Sequence, residues 1–243
     1  MVRSISGTAR PVALLYTCAL FAGSAAAQNA TPRYTSGWWD VAATAGGGLV
    51  AGLAAIAHPP LSHCAPCDSL SLPSYERVAI HSNSSAARTA STVVLVGIAG
   101  GVALASLTGS DRARARGNAV VMADAVSWSV AATELLKVGV HRARPALYRA
   151  GAATAAADPD NRESFPSGHT SLAFAAATTY TTLALRQHLP HAQRNAILLF
   201  AAATATGVLR VAGGKHFPTD VLAGAALGGG IGWATARLHP MTP

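Results

Sequence analysis

The chain has 243 residues, of which 51% are hydrophobic and 12% charged, and its mean hydropathy is +0.33. That length suffices for one substantial domain, and the apolar excess requires large parts of it to be buried in protein or lipid. The net charge of +8 raises nucleic acid as a partner, yet the basic residues are scattered, aromatics make up 6%, and no nucleic-acid motif is present. A basic surface facing anionic lipid or a phosphate-bearing substrate accounts for the charge better.

In chain order, the first segment reads as a signal peptide over residues 1–27. Arg3 and Arg10 precede an apolar run, Val12–Phe21, and the small residues Ala25 and Ala27 set cleavage after Ala27. An uncleaved membrane anchor is the alternative, although the run is short for a span. Cys18 leaves with the signal, so the mature chain keeps Cys64 and Cys67, a Cys-Ala-Pro-Cys pair suited to a local disulfide in an exported protein. His58 and His63 lie beside that pair, a compositional hint of zinc and no more.

Residues 28–90 form an N-terminal apolar segment and a polar loop. The apolar part, Trp38–Ala57, carries Gly46, Gly47, Gly48 and Gly52, which favour close helix packing, and Trp38 and Trp39 suit a membrane interface. The loop that follows holds at most a short helix around Tyr75–Ile80. Five further apolar segments make up a core over residues 91–236: Ser91–Thr108, Ala119–Leu136, Thr170–Leu185, Asn195–Val211 and Thr219–Ala236. Each has helical length and none shows strand alternation, so the expected fold is an all-α bundle of five to six apolar helices. Asp124 and Glu134 read as ion-pair or hydrogen-bond partners inside it. Gly151–Asp160 reads as a flexible loop, and 237–243 as a tail.

The segments are near the lower length limit for crossing a bilayer, but they are long and weakly amphipathic, which favours a membrane-embedded bundle and leaves a soluble one open. Arg112, Arg114 and Arg116 in the loop 110–117, with Arg186 and Arg194, mark a cytoplasmic side. One count conflicts with this. Cleavage starts residue 28 outside, and two full spans then return the arginine loop to the outside. Full crossing of the first segment, membrane embedding or signal cleavage must give way.

Three blocks carry chemistry. Lys137 is followed by Arg144 and Pro145, and proline forces the arginine to a non-helical corner. Pro166-Ser167-Gly168-His169 opens a helix, where Ser167 can cap and free amides favour an anion. Arg210 precedes His216 and Asp220 at the seam between two apolar runs, and Asp220 in a first helical turn lies within reach of one His216 ring nitrogen. Arginine forks onto phosphate oxygens and lysine adds a compact charge. Taken singly, each block reads as readily as a cap, a surface histidine or a basic interfacial patch. His141 and Arg142 match nothing and read as surface or mouth residues.

Together, in this order, the blocks resemble the type 2 phosphatidic acid phosphatase family, which shares its core with bacterial class A acid phosphatases and vanadium haloperoxidases. The family pattern is Lys-x6-Arg-Pro, Pro-Ser-Gly-His, then Ser-Arg-x5-His-x3-Asp; the chain matches it except at Leu209, which stands for the serine. The resemblance implies a metal-independent phosphatase acting on lipid phosphate monoesters or isoprenyl pyrophosphates, with no cofactor and with vanadate able to bind the same site. It assigns His216 as the nucleophile, His169 as the general acid and Asp220 as the residue that orients His216. Lys137, Arg144, Ser167, Gly168 and Arg210 would hold the phosphoryl oxygens. A soluble periplasmic acid phosphatase and a haloperoxidase are the alternatives it leaves.

Overall fold

In a computed structural model the described residues are 32–57, 64–107 and 112–242, without the side chains of residues 106 and 107. The signal segment, its cleavage position, Cys18, His58 and His63 lie outside them. The described elements are β1 (Arg33–Tyr34), α1 (Trp38–Ile56), α2 (Ser74–His81), α3 (Ser85–Leu107), α4 (Arg112–Val140), α5 (Ala152–Ala155), α6 (Gly168–Arg186), α7 (Ala192–Ala212), α8 (Pro218–Leu238) and β2 (Met241–Thr242). Short 3-10 turns stand at Ser69–Ser71, Pro145–Tyr148 and Pro159–Arg162. The six long helices realise the expected all-α bundle.

The helices exceed their apolar runs. α4 begins at Arg112, so Arg112, Arg114 and Arg116 occupy its first turns and are not a loop. Gly117 and Asn118 do not break the run: arginine and alanine on either side favour helix, and Gly117 is buried where a Cβ would stand 2.5 Å from Tyr34 O. The segment 151–160 is also more ordered than a flexible loop. It holds α5 and leads into the 3-10 turn, because Asn161 Nδ2 donates to Ala155 O at 2.9 Å and Arg162 Nη2 to Ala156 O at 2.6 Å. Cys64 and Cys67 are joined by a disulfide, and Cys67 N–H donates to Leu147 O at 2.8 Å, which ties this loop to the chain beyond Arg144.

α6 lies at the centre, packed on α8, α7, α4 and α3. Its seam with α8 depends on a stripe of glycines at i, i+4 and i+8. A Cβ on Gly224 would stand 2.6 Å from Ser167 O, one on Gly232 2.6 Å from Ala175 O, and one on Gly228 would collide with Ser171 O. Only hydrogen at these positions allows the two backbones to meet. Pairing of low-numbered with low-numbered residues makes α6 and α8 parallel. α1 and α4 are parallel as well, since Thr44 bonds Asp124 and Gly47 abuts Ser127. α4 and α6 are antiparallel: Asn118 and Gln187 exchange buried amide hydrogen bonds of 3.1 and 2.6 Å at one end, and Ser129 meets Ser171 toward the other.

These directions define two ends. At one end lie the starts of α1 and α4 and the termini of α6 and α8, where β1 pairs antiparallel with β2, Arg33 opposite Thr242. Tyr34 is buried there, donating to Ala236 O at 2.9 Å, with Arg186 over its ring at 5.3 Å. Asp124 has its place nearby, bonded to Thr44 and, at 3.0 Å, to His239, which also approaches Asp40 at 3.3 Å. The opposite end gathers the close of α4, the starts of α6 and α8 and the close of α7, and all three sequence blocks with them.

The side chains are distributed in the manner of a bundle in lipid. Its interior is built largely of small residues, with alanines and the hydroxyls of Ser129, Thr133, Ser171, Thr179 and Thr206 buried together. Large apolar residues point outward: Leu49, Ile56, Val96, Ile197, Val208 and Leu222 are all exposed. Among the described residues, four helical segments are long and apolar enough to cross a membrane: Trp38–Ile56, Ser85–Ala105, Arg112–Tyr148 and Ala192–Ala212. Interhelical hydrogen bonds and small residues, not hydrophobic burial, are what hold helices together in lipid.

Candidate active site

The turn that carries His216 follows from Gly214. Its φ is +63°, and a Cβ there would collide with Ser82 O, so glycine alone lets the chain reverse after α7. His216 is then buried at 2% exposure, with Nδ1 2.7 Å from Ser164 O. A carbonyl oxygen only accepts, so Nδ1 carries the proton and Nε2 keeps its lone pair. Burial, helped by Arg144 and Arg210 and opposed by Asp220, lowers the His216 pKa to about 4. The ring is therefore neutral near pH 7, the state a nitrogen nucleophile requires.

Asp220 does not orient His216 in the way its spacing implies. Its Oδ2 is 3.7 Å from Nδ1, beyond hydrogen-bond range. Both carboxylate oxygens are engaged elsewhere. Oδ2 accepts from Phe217 N–H at 2.8 Å and from Ser164 Oγ at 2.6 Å, and Oδ1 accepts from Arg142 Nη1 at 2.5 Å. Asp220 thus acts at one remove: it holds Ser164 by the hydroxyl, and the Ser164 carbonyl holds the imidazole. Arg142 closes this assembly. It pairs with buried Glu76 of α2 at 3.1 Å and stacks over the Phe217 ring at 4.4 Å. Arg142 is a brace of the site and not a mouth residue, and Ser164, Glu76 and Arg142 are all additions to the sequence reading.

His169 opens α6 with its Nε2 3.2 Å from Thr92 Oγ1 of α3. Burial, followed by Arg210, Arg144 and Lys137, lowers its pKa to about 4. Those three cations are the ones the sequence singled out, and the structure brings them around one imidazole. Ser167 is buried and stands at the N-cap of α6, but its hydroxyl makes no capping bond and instead accepts from Thr170 Oγ1 at 3.0 Å. A Cβ on Gly168 would meet only Thr133 Cγ2 at 3.5 Å, an ordinary contact. Protein packing alone does not demand glycine there, and its lack of a side chain leaves the start of α6 open to a ligand.

The cations differ in how they are held. Lys137 pairs with Glu134 at 2.8 Å, and Arg144 Nη2 pairs with Asp160 at 2.6 Å, so two of the three do have acidic partners. Lys215 Nζ lies 3.9 Å from the other Asp160 oxygen. The Nε atoms of Arg144 and Arg210 are buried with no hydrogen-bond partner among the described residues, and Arg210 Nη1 donates to Ser91 Oγ at 3.5 Å. Buried guanidinium N–H groups without acceptors fit a site built for an oxyanion. Leu209 is half-buried and, with Phe200, Thr204, Ala205 and Val208, lines an apolar groove on the outer side of α7.

Comparison with known proteins points the same way. The family model described as PAP2 superfamily matches residues 118–242, about half of the chain. A lipid A 1-phosphatase of Porphyromonas gingivalis is 38% identical over 68 residues, 27% of this chain and 14% of that protein. No solved structure matches.

Proposed function

The chain belongs to the PAP2 superfamily, and from that premise we propose that it is a phosphatase that hydrolyses lipid phosphate monoesters or lipid pyrophosphates through a phosphohistidine. The observation that carries this reading is the neutral His216, its Nδ1 proton held by Ser164 O, beside a cluster of cations with unfilled N–H groups. His216 Nε2 attacks phosphorus, and the bond from phosphorus to the leaving oxygen breaks. Arg144, Arg210 and Lys137, with the Gly168 amide, stabilise the charge on the equatorial oxygens. His169 gives a proton to the leaving oxygen, then takes one from the water that hydrolyses the phosphohistidine.

His169 is neutral in the free protein, because burial and the cations disfavour its charge. A phosphoryl dianion offsets those cations, so the ring gains its proton as substrate seats. The cations and amides supply the electrostatic stabilisation, and the proposed reaction needs no metal or organic cofactor. Vanadate, a mimic of the five-coordinate phosphorus, is proposed to bind the same groups.

Large apolar residues on the outer faces, with small residues and hydroxyls between the helices, support a membrane-embedded enzyme over a soluble periplasmic acid phosphatase. We place the arginine-rich end in the cytoplasm and the site on the exported side. The partial match to a lipid A 1-phosphatase adds phosphorylated lipid A to phosphatidic acid and isoprenyl pyrophosphate as candidate substrates.

The test is phosphate release by detergent-purified protein in EDTA from these lipids and from an aryl phosphate in parallel. Preference for the lipids, with turnover abolished in His216→Ala, supports the proposal. Preference for the aryl ester favours the soluble reading, and full activity in His216→Ala refutes the mechanism.

A further inference from the structure

Asp160 occupies an unusual position for a carboxylate in a site that binds anions. One oxygen lies 2.6 Å from Arg144 Nη2 and the other 3.9 Å from Lys215 Nζ, the residue before His216. Its charge also acts on His169, opposing the three cations there. Arg144 is nearly buried, at 5% side-chain exposure, whereas Asp160 is 47% exposed. The pair therefore has one fixed member and one member free to turn into solvent.

The backbone beneath Asp160 is held independently of its carboxylate. Arg144 N–H donates to Asn161 O at 2.8 Å, Asp160 N–H to Asp158 Oδ1 at 3.0 Å, and Arg162 Nη2 to Ala156 O at 2.6 Å. The side chain can leave Arg144 without unfolding the turn that carries it. A carboxylate and a phosphoryl group compete for the same guanidinium geometry, and the phosphoryl group brings more charge and more acceptor oxygens.

We propose that Asp160 is the resident counter-anion of the phosphoryl site: it neutralises Arg144 and Lys215 in the free protein, is displaced by the incoming phosphoryl group, and returns as product leaves. This rests on the phosphatase reading and deepens it. Its consequence is selectivity at the level of affinity. Every anion must displace Asp160, so weakly charged anions are rejected and inorganic phosphate is released readily. The carboxylate also keeps like-charged Arg144 and Lys215 from repelling one another in the free protein.

The experiment measures binding of inorganic phosphate and of vanadate to the detergent-solubilised full chain by titration calorimetry, beside KM and kcat for an aryl phosphate. Asp160→Asn and Asp160→Ala are each expected to bind both anions more tightly, on the order of fivefold, the equivalent of removing one half-exposed competing ion pair. KM falls in step, kcat does not rise, and thermal stability stays close to that of the unaltered protein. Unchanged or weaker anion binding in both variants overturns the proposal. A raised KM with a lowered melting temperature also overturns it, by showing that Asp160 only braces the loop. An unaltered protein that neither hydrolyses phosphate esters nor binds vanadate defeats the phosphatase reading itself. Normal turnover with indistinguishable anion affinities defeats the counter-anion alone.

Discussion

Replacing Arg142 by methionine is the sharpest probe of how the nucleophile is held. Arg142 donates to Asp220 Oδ1 at 2.5 Å and to Glu76 Oε2 at 3.1 Å, and these carboxylates have side-chain exposures of 0% and 2%. Methionine keeps the packing against Phe217 but leaves two buried carboxylates without their shared cation. Breaking a buried pair from one side costs about 3–5 kcal/mol. For a domain of this size that corresponds to a fall in melting temperature of about 10 °C. The effect on rate travels through Asp220 to Ser164, and from the Ser164 carbonyl to His216 Nδ1. A displacement of the nucleophile by about 1 Å costs about 100-fold, so kcat is expected to fall by that order while KM moves little. Arg142→Lys keeps the charge without the fork and is expected to recover part of both losses. The assays are thermal unfolding in detergent and steady-state phosphate release. A melting temperature and kcat both unchanged in Arg142→Met would refute the brace.

The pKa of His216 in the free protein, lowered to about 4, predicts that kcat/KM keeps its neutral nucleophile from pH 8 down to about pH 5 and loses it as pH falls through about 4; an acid limb centred near 6.5 would contradict the burial argument. His169→Ala is expected to spare phosphoenzyme formation on substrates with good leaving groups and to slow it on alkyl phosphates, as read by acid-quenched labelling with radioactive phosphate ester. Gly228→Ala drives a methyl group into Ser171 O at the seam of α6 and α8, and is expected to destabilise the bundle by at least about 1–3 kcal/mol, measurable as a lower melting temperature.

The parts of this molecule that the sequence discloses are those encoded within a few residues of one another. Apolar runs ended by His-Pro-Pro or Gly-Gly, or opened by Phe-Pro, mark the long helices. The three blocks name His169, His216, Arg144 and Arg210 because each block has a fixed internal spacing. Helix ends were less legible: the first turns of α4 are rich in arginine, and nothing in their polarity distinguishes a helical turn in an interfacial position from a loop. The glycine stripe of α8 is visible in the sequence, but its partner is not, because the backbone of α6 is chemically featureless. The brace around Asp220 was illegible for another reason. Glu76, Arg142, Ser164 and Asp220 meet only after folding, and Arg142 is 78 residues from Asp220. Spacing suggested a direct bond from His216 to Asp220, since i,i+4 contacts are common, and it could not show that a carbonyl 52 residues away would take that proton instead.

The direction of α1 bears on how the protein reaches its membrane. α1 runs parallel to α4 along the bundle, so Arg33 enters from the end that also holds Arg112, Arg114, Arg116, Arg186 and Arg237. Full crossing of the first segment is the assignment that these helix directions favour. If the bundle is embedded with this end in the cytoplasm, residues just before Trp38 start on the cytoplasmic side, whereas cleavage after Ala27 would deliver them to the other side. Cleavage and embedding in that orientation exclude one another. Outward-facing Leu49, Ile56, Ile197 and Leu222 favour embedding, and so predict that membrane-extracted protein retains residues 1–27. Intact mass spectrometry decides the point. A chain beginning at Gln28 and recovered without detergent would remove the lipid-facing interpretation and, with it, the case for lipid substrates over soluble ones.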